Sequence, residues 1–541
     1  MTFASRVAER ILRLPPAATR DVRIQRGLPV PMDDGVELLA DLYTPVRVPN
    51  APLVLVRSPY GRRGWLEQGV AMPFAERGYR VLVQAVRGTE KSGGTFDPFG
   101  DERRDGLATL DWIEKQSWSH GPVLTFGPSY LGYAQWAMAA DAGDRIAAMA
   151  PFATASQFRD QTYLGDSFTL RGCLSWSTLM VGQKRNLFLA QLEDVLGTSR
   201  LERAYLHLPI GESDRRATGT TVDWFQKWLA HGDPGDPYWL PERDHRARVG
   251  ESAAEVSMVG GWHDLFLLSQ LEDHARLRAA GRRPRLTIGP WTHTAVPMFG
   301  AALRDALIVF RAAVTGDGSA LRGDPVKLFV QGAEEWRTYP EWPPPAEVTP
   351  FHLHAGGLLS RDAPGPGEPS RFTYDPADPT PGTGGPLLGA GAGPKDQSAV
   401  EARPDVLLFT TEPLDRDLEV IGPVSARVHL RSDSEHTDVL VRVCDVDENG
   451  LSVNVCDGLQ RVVPGRFPSG EVEVTLWPTA HRFRAGHRIR VHVASGSHPR
   501  FARNPGTGDP LGTATRLLPQ NQEILHDPAH PSALLLPLVP V

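Results

Sequence analysis

Cysteine, long apolar segments and internal repeats are scarce or absent in this sequence. Its three cysteines are too few, and of odd number, for a disulfide framework: Cys173, Cys444 and Cys456. We therefore expect free thiols, although Cys444 and Cys456 flank a predicted hairpin and are candidates for cross-strand neighbours. No run of about 18 apolar residues occurs, so no membrane-spanning helix is expected. There is also no internal repeat and no heptad pattern.

A large excess of charge of one sign is missing as well. The chain has 57 Lys and Arg, 64 Asp and Glu, and a formal net charge of −7 at pH 7. This balance gives no reason to expect nucleic acid or an anionic membrane as a partner. The segment Met1 to Arg20 lacks the apolar core of a signal peptide. We therefore expect a cytoplasmic protein.

The first part of the chain alternates short apolar segments with segments of helical periodicity. At 541 residues the chain exceeds a single core, so two to four domains are expected. The alternation runs from about residue 30 to 150 and resumes after about 245, and it favours a mostly parallel sheet covered by helices. The predicted strands are 52–57, 81–85, 123–126, 146–150, 255–259 and 285–289, and the predicted helices are 105–115, 130–140 and 265–280.

Two further regions depart from this alternation. Residues 152–245 contain apolar helical stretches, such as 179–196, and several aromatic residues. We interpret them as a helical lid inserted into the α/β domain, with additional core as the alternative. From about 323 to 541, short segments alternate apolar and polar residues, and Asp447 to Gly450 has the composition of a hairpin turn. This pattern predicts an antiparallel β-sandwich, so the expected boundaries are 1–151, 152–245, 246–322 and 323–541.

A serine between glycines follows one of the predicted strands. It is Ser129, in Gly127-Pro128-Ser129-Tyr130-Leu131-Gly132, and Asp264 and His293 follow two later strands. The chain order Ser, Asp, His is that of α/β-hydrolase triads. Functional groups gather outside the carboxyl ends of strands in such sheets. We therefore predict that these three side chains lie at one edge of the sheet.

These residue types suit nucleophilic catalysis. A strand-to-helix turn would expose the Ser129 hydroxyl at a helix N-terminus, where backbone N–H groups favour negative charge. His293 would take the hydroxyl proton and return it to the leaving group, and Asp264 would hold the imidazole in the required tautomer. Each residue also has a simpler interpretation: Ser129 as a turn residue, His293 as a loop histidine, and Asp264 as a helix N-cap. Their joint placement favours the triad.

The chain resembles the cocaine esterase-type (CocE/NonD) hydrolases, relatives of the X-Pro dipeptidyl-peptidases and α-amino-acid ester hydrolases. The resemblance covers nearly the whole length and includes the Gly-x-Ser-Tyr-x-Gly form of the serine segment. The other motifs that carry it are Arg57-Ser58-Pro59-Tyr60-Gly61, Arg87-Gly88, Asp105-Gly106, Gly261-Trp262-His263-Asp264, Gly289-Pro290-Trp291-Thr292-His293 and Asp457-Gly458. It implies an α/β-hydrolase domain with an inserted helical lid, followed by a C-terminal jelly-roll domain.

The resemblance also implies further site residues. An oxyanion hole would be formed by the backbone N–H of Tyr130 and the hydroxyl of Tyr60. An apolar substrate pocket would include Phe266, with Leu387 and Leu388 from a loop of the sandwich. No metal and no cofactor are expected, since the alternation of His352 and His354 is explained by a strand.

We therefore expect a serine hydrolase that cleaves a small-molecule ester or amide with an apolar acyl group. Esterase activity comes first and X-Pro dipeptidyl-peptidase activity second. Two alternatives of other classes stay open: an acyltransferase or ring-closing enzyme of secondary metabolism, and a non-catalytic binding scaffold. A homo-oligomer is compatible with the sequence.

Overall fold

The computed structural model describes residues 3–182 and 198–540. The chain divides into two compact units, one of residues 1–159 and 234–327 and the other of residues 160–233 and 328–541. Each unit combines segments from two parts of the chain, because residues 160–233 pack with the C-terminal strands.

The strands of the described chain follow in the order β1 (Val22–Pro31), β2 (Glu37–Pro45), β3 (Leu53–Ser58), β4 (Arg80–Ala85), β5 (Val123–Pro128), β6 (Ile146–Phe152), β7 (Tyr163–Leu164), β8 (Ser167–Phe168), β9 (Glu255–His263), β10 (Arg285–Thr292), β11 (Val326–Val330), β12 (Glu335–Tyr339), β13 (Glu347–Leu353), β14 (Leu359–Ser360), β15 (Ser370–Tyr374), β16 (Leu407–Thr410), β17 (Leu418–Ser432), β18 (Thr437–Val446), β19 (Ser452–Val462), β20 (Glu471–Phe483), β21 (Arg488–Ala494), β22 (Gln520–Leu525) and β23 (Ala533–Val539).

The α-helices of the described chain are α1 (Phe3–Ile11), α2 (Met72–Ala75), α3 (Glu102–Glu114), α4 (Tyr130–Ala142), α5 (Arg159–Thr162), α6 (Leu170–Gly182), α7 (Thr198–Leu206), α8 (Ser213–Thr218), α9 (Asp223–Ala230), α10 (Leu267–Ala279), α11 (Val296–Thr315) and α12 (Ser398–Glu401). No described helix is both long enough and apolar enough to cross a membrane.

The first unit is built on a sheet whose central strands are parallel. Within this unit the strand order includes the run β1-β2-β4-β3-β5-β6-β9-β10, and the strands from β4 to β10 in that order pair in parallel. Every residue of β3 and β4 is buried, as expected for strands covered on both faces. Helices α3, α4, α10 and α11 pack in this unit, so the predicted α/β architecture is confirmed.

The three strands that lead to the candidate residues are longer than predicted. Strand β5 extends to Pro128, β9 to His263 and β10 to Thr292, so each ends directly before one of the three candidate residues. The predicted strands ended at or just before glycines: before Gly127, before Gly260-Gly261 and at Gly289. In the structure two of these glycines are required by packing, since a Cβ at Gly261 or Gly289 would lie 2.2 or 2.5 Å from atoms of Trp291.

The second unit contains antiparallel sheets. One has the order β14-β13-β23-β17-β22-β15 with β20 also paired to β17, and another has the order β16-β21-β18-β19. The turn Asp447 to Gly450 joins β18 and β19, with the Gly450 N–H donating to the Asp447 carbonyl at 3.0 Å. The predicted C-terminal all-β region and its hairpin turn are confirmed.

Residues 160–233 of the expected lid belong to this second unit. The N–H of Arg461 donates to the carbonyl of Gly165 at 2.7 Å, and the Arg503 guanidinium donates to the carbonyl of Leu206 at 2.7 Å. The boundaries 152–245 and the function as a lid stay predictions. The helical stretch expected over 179–196 lies outside the described residues from 183 onwards.

The three cysteines are free and buried, as expected. Cys444 on β18 and Cys456 on β19 lie next to each other in register, since Cys456 pairs with Val443 at an irregularity of the ladder. They form no disulfide.

A buried carboxylate joins two arginines inside the second unit. Asp457 lies 2.8 Å from Arg442 and forms a second ion pair with Arg500, and the side chains of Asp457 and Arg442 are 1% and 2% exposed. Burial by itself would raise the pKa of Asp457, but the two guanidinium groups hold it below its usual value. Removing one partner of such a group leaves buried charge uncompensated.

We expect Asp457→Asn to destabilise the protein by about 3–5 kcal/mol, because both guanidinium groups lose their counter-charge in a buried site. The midpoint of urea denaturation, followed by circular dichroism, measures the effect. Arg431→Gln is the matched control, since Arg431 is 63% exposed in its ion pair with Glu523, and its midpoint should match the wild type. Equal midpoints for both variants would contradict the assignment.

Candidate active site

Ser129 occupies a strained turn between β5 and α4. Its backbone has φ 54° and ψ −126°, a conformation that residues other than glycine rarely adopt. Its N–H donates to the carbonyls of Phe152 and Ala153, both at 3.1 Å, so the turn is fixed against the segment that follows β6. Strain of this kind persists only where the surroundings hold it, and it is concentrated at functional sites.

The two flanking glycines are needed because neighbouring chains come very close. A Cβ at Gly127, whose φ is 156°, would lie 2.4 Å from the Cβ of Leu131. A Cβ at Gly132 would lie 2.4 Å from the Cγ2 of Thr154. Gly132, the second glycine of the motif, therefore lets the first turn of α4 pack against the loop after β6.

The side chains of Thr154 and Gln135 hold this turn by hydrogen bonds to its backbone carbonyls. The hydroxyl of Thr154 donates to the carbonyl of Ser129 at 2.6 Å. The amide of Gln135 donates to the carbonyl of Gly127 at 3.3 Å, and Thr125 donates to the Gln135 side chain at 2.8 Å. Sequence reasoning missed these supports. A single sequence does not show which side chains contact the turn, so neither Thr154 nor Gln135 stands out from it.

His293 and Asp264 form a hydrogen-bonded pair. The Nδ1 of His293 lies 2.8 Å from the Oδ2 of Asp264, and the Asp264 side chain is fully buried. The other oxygen of Asp264 accepts from the N–H of Phe266 at 2.7 Å, in the turn that leads into α10. One carboxylate thus makes the predicted contact with the histidine and also holds the turn before α10, whose N-cap is Phe266.

Each of the three candidates directly follows a parallel strand of the same sheet. Ser129 follows β5, Asp264 follows β9 and His293 follows β10, and the sheet order there is β5-β6-β9-β10. Parallel strands place their carboxyl ends at one edge, so all three residues share that edge. With its Nδ1 turned to Asp264, the imidazole has Nε2 as its remaining proton-accepting atom.

Both candidate oxyanion donors lie at the same edge. Tyr60 follows β3, which pairs with β5, and its N–H donates to the hydroxyl of Ser58 at 3.0 Å. Tyr130 begins α4, where the first N–H groups of a helix have no partner within the helix. The placement of both residues is compatible with the predicted oxyanion hole, which stays a prediction.

A series of aromatic ring contacts leads from Phe99 to His293. The ring of Phe266 lies 5.3 Å from that of His293, Phe158 lies 5.3 Å from Phe266, and Phe99 stacks on Phe158 at 3.8 Å. The position of Phe266 beside the base agrees with a substrate contact. The sequence analysis did not single out Phe99 or Phe158, although both belong to aromatic-rich segments.

Leu387 and Leu388, the other predicted pocket residues, lie in a loop of the second unit. Leu387 is 4% exposed and Leu388 is half-buried. Their place in a substrate pocket stays a prediction.

Within the described chain, one group of side chains has metal-ligand chemistry: Glu401, Cys444 and His492, whose ligand atoms lie within 4.8 Å of one another. Their contacts do not favour a cation, because Glu401 is already paired with Arg490. Burial also raises the pKa of the Cys444 thiol to about 12, which keeps it protonated. We interpret the group as a buried hydrogen-bonded cluster.

Comparison with known proteins gives matches along most of the chain. The family model of the X-Pro dipeptidyl-peptidases (S15 family) matches residues 34–295, and that of the X-Pro dipeptidyl-peptidase C-terminal non-catalytic domain matches residues 321–535. The cocaine esterase of Rhodococcus sp. (strain MB1 Bresler) is 33% identical, over 94% of this chain and 97% of the esterase.

Two solved structures share the fold at lower identity. An aminopeptidase from the marine sediment archaeon Thaumarchaeota archaeon has a TM-score of 0.82 at 21% identity, covering 97% of this chain and 98% of its own. An α-amino acid ester hydrolase has a TM-score of 0.79 at 22% identity, with coverage of 97% and 98%. Likeness at this identity supports the fold only.

The parallel sheet, the strained serine turn and the buried histidine–aspartate pair are those of a serine hydrolase with the α/β-hydrolase fold. Among these enzymes, the 33% identity with the Rhodococcus esterase, over 94% of this chain and 97% of the esterase, decides the family. The chain belongs to the cocaine esterase-type (CocE/NonD) family, and the resemblance inferred from the motifs is confirmed.

We expect Gly132→Ala to lower both stability and activity. The added Cβ would overlap Thr154 and force the Ser129 turn to move, at a cost of about 1–3 kcal/mol. Gly323→Ala is the control, since no atom lies within 4 Å of the Cβ position there. Thermal unfolding and ester hydrolysis, measured side by side, test this. Equal unfolding temperatures and equal activities in Gly132→Ala and Gly323→Ala would refute the close approach of Gly132 to Thr154.

Proposed function

We propose that the protein is an esterase that cleaves esters with an apolar acyl group through an acyl-Ser129 intermediate. The observation that carries this proposal is the 2.8 Å contact between His293 Nδ1 and Asp264 Oδ2, at the sheet edge where Ser129 follows β5. The identity with a cocaine esterase over nearly the whole chain supports an ester as substrate.

The reaction follows from the roles of the three side chains. His293 Nε2 accepts the Ser129 proton as the serine oxygen attacks the ester carbonyl. The tetrahedral intermediate collapses, the alcohol leaves with the proton held by His293, and the acyl group stays on Ser129. Water, deprotonated by the same imidazole, then releases the acid. Asp264 keeps the imidazole oriented and stabilises its charged form.

The negative oxygen of the intermediate requires donors fixed before the reaction. We assign this role to the N–H of Tyr130 and the hydroxyl of Tyr60. Loss of one such donor typically costs about 2.7–4 kcal/mol of transition-state stabilisation. Phe266, beside the His293 ring, supports an apolar acyl site.

A second candidate is cleavage after an Xaa-Pro dipeptide. The match to the X-Pro dipeptidyl-peptidase family model over residues 34–295 favours it. The same triad would serve both reactions, because an amide and an ester pass through the same type of tetrahedral intermediate. The two candidates differ in the leaving group and in recognition of a free substrate amine.

One assignment of fold and one of cellular location accompany the proposal. We propose that the antiparallel sheets of the second unit form a jelly-roll sandwich and that the protein is cytoplasmic. Fractionation of cells that produce the tagged protein tests the location.

We expect Ser129→Ala to lower ester hydrolysis on the order of 10⁴-fold or more, because no other group can form the acyl intermediate. The measurement is release of p-nitrophenol from short- and medium-chain esters. Ser117→Ala, at an exposed serine of the same unit, is the control and should keep full activity. A fluorophosphonate should label the wild type and the control but not Ser129→Ala.

Xaa-Pro anilides, tested on the same preparations, rank the two candidates. A higher kcat/KM for the anilides than for every ester would reverse their order. Absence of fluorophosphonate labelling and of both activities in the wild type would refute the serine-hydrolase mechanism.

We expect activity to fall on acidification, because a protonated His293 cannot accept the serine proton. The measurement is kcat/KM from pH 5 to 9, with circular dichroism at each pH to confirm that the fold persists. A constant kcat/KM across this range would contradict the assignment of His293 as the base.

A further inference from the structure

Glu102 is a buried carboxylate outside the proposed triad. It begins α3, and its side chain is 5% exposed. Carboxylates are seldom buried this deeply unless they are paired. Its two partners, Tyr130 and Arg57, both belong to segments that lead into the proposed oxyanion hole.

The first partner is the side chain of Tyr130. The Tyr130 hydroxyl donates to the Oε1 of Glu102 at 2.8 Å and accepts from the N–H of Phe99 at 3.1 Å. Its ring stacks on that of Phe99 at 4.8 Å. Burial raises the pKa of the Tyr130 phenol well above its usual value, so the phenol stays protonated and acts as the donor. Tyr130, the first residue of α4, is therefore fixed through its hydroxyl group by Glu102 and Phe99.

The second partner is Arg57, at the end of β3. Its Nη1 lies 2.7 Å from the Oε2 of Glu102 and also donates to the Glu102 carbonyl at 2.8 Å. Its Nε donates to the side chain of Gln84 at 2.8 Å. The Arg57 side chain is 1% exposed, and the residue lies three positions before Tyr60. A single carboxylate thus joins the strand that leads to Tyr60 and the helix that begins at Tyr130.

We propose that Glu102 is a positioning residue that holds the two oxyanion donors, the Tyr130 N–H and the Tyr60 hydroxyl, in register with each other. This inference rests on the proposed function. It adds to that function a residue, Glu102, that fixes the distance between the two donors, because Tyr60 and Tyr130 belong to different elements. Donors of this kind act only when they are fixed within about 0.5 Å of the productive geometry.

A purely structural role would also explain these contacts, so the control is an ion pair between α3 and α4, the two helices that the Tyr130–Glu102 hydrogen bond joins. Arg103 of α3 lies 2.6 Å from Asp141 at the other end of α4, with side chains 38% and 25% exposed. Arg103→Gln removes a charge contact between α3 and α4 without touching Tyr130. A general loosening of the helix pair should therefore appear in this variant too.

The test compares Tyr130→Phe, Glu102→Gln and Arg103→Gln with the wild type. Tyr130→Phe removes one oxygen atom and leaves both the ring and the backbone N–H. Glu102→Gln keeps the volume and removes the charge that holds Arg57. The assays are kcat and KM on p-nitrophenyl esters, and the inhibition constant of a boronic acid, which forms a tetrahedral adduct with the serine. Titration of the serine with a fluorophosphonate gives kcat per active site, so unfolded protein is not counted.

We expect Tyr130→Phe and Glu102→Gln to lower kcat roughly ten- to a hundredfold, with KM changed less than about threefold, because displaced donors affect the transition state more than the bound ester. The inhibition constant of the boronic acid should rise in step. The variant that carries both substitutions should lose less kcat than the product of the two single losses, since both substitutions break the same Tyr130–Glu102 hydrogen bond.

Three results would overturn the inference. They are a kcat within about twofold of the wild type in Tyr130→Phe, a loss carried by KM alone, and an equal loss of kcat in Arg103→Gln. If Glu102→Gln gives no titratable serine, Tyr130→Phe decides alone. Failure of the proposed function is distinct, because the wild type itself would then neither hydrolyse esters nor react with the fluorophosphonate.

Discussion

The positive φ of Ser129 is the constraint on which the rest of the site depends. This conformation turns the chain sharply from β5 into α4, and several contacts keep it from relaxing. Gly132 allows the helix to approach Thr154, and the Thr154 hydroxyl in turn holds the Ser129 carbonyl at 2.6 Å. The turn places Ser129 directly before α4, which begins at Tyr130. Every step of the proposed reaction uses that placement.

Buried charge is used in both units to fix one element against another. In the first unit the Glu102 carboxylate joins β3 to α4 through Arg57 and Tyr130. In the second, Asp457 joins β18, β19 and the segment after β21. Such groups are costly to desolvate, and their geometry must be good to compensate. They are directional in a way that apolar packing is not, which suits them to holding catalytic donors.

The predictable part of the fold lies where local pattern and burial agree. The six predicted strands of the α/β region were found, because continuous apolar segments between turn residues have few alternatives in a parallel sheet. The carboxyl ends of β9 and β10 were predicted too short, at Val259 and Gly289, since strand propensity takes no account of Trp291 packing against Gly261 and Gly289. Glu102 was missed because it lies in a charged segment that reads as exposed. Extending the helical period of α3 one turn upstream would have placed it on the buried face.

By itself, the sequence determined the order Ser129, Asp264, His293, the strand preceding each residue and the family, since these depend on residue type and spacing along the chain. Only the tertiary structure decided that Asp264 contacts His293 and that Tyr130 is held through Glu102. It also decided that residues 160–233 pack with the C-terminal strands. These contacts join residues far apart in the chain, and hydrogen bonds depend on distances and angles that only the packing of whole elements sets.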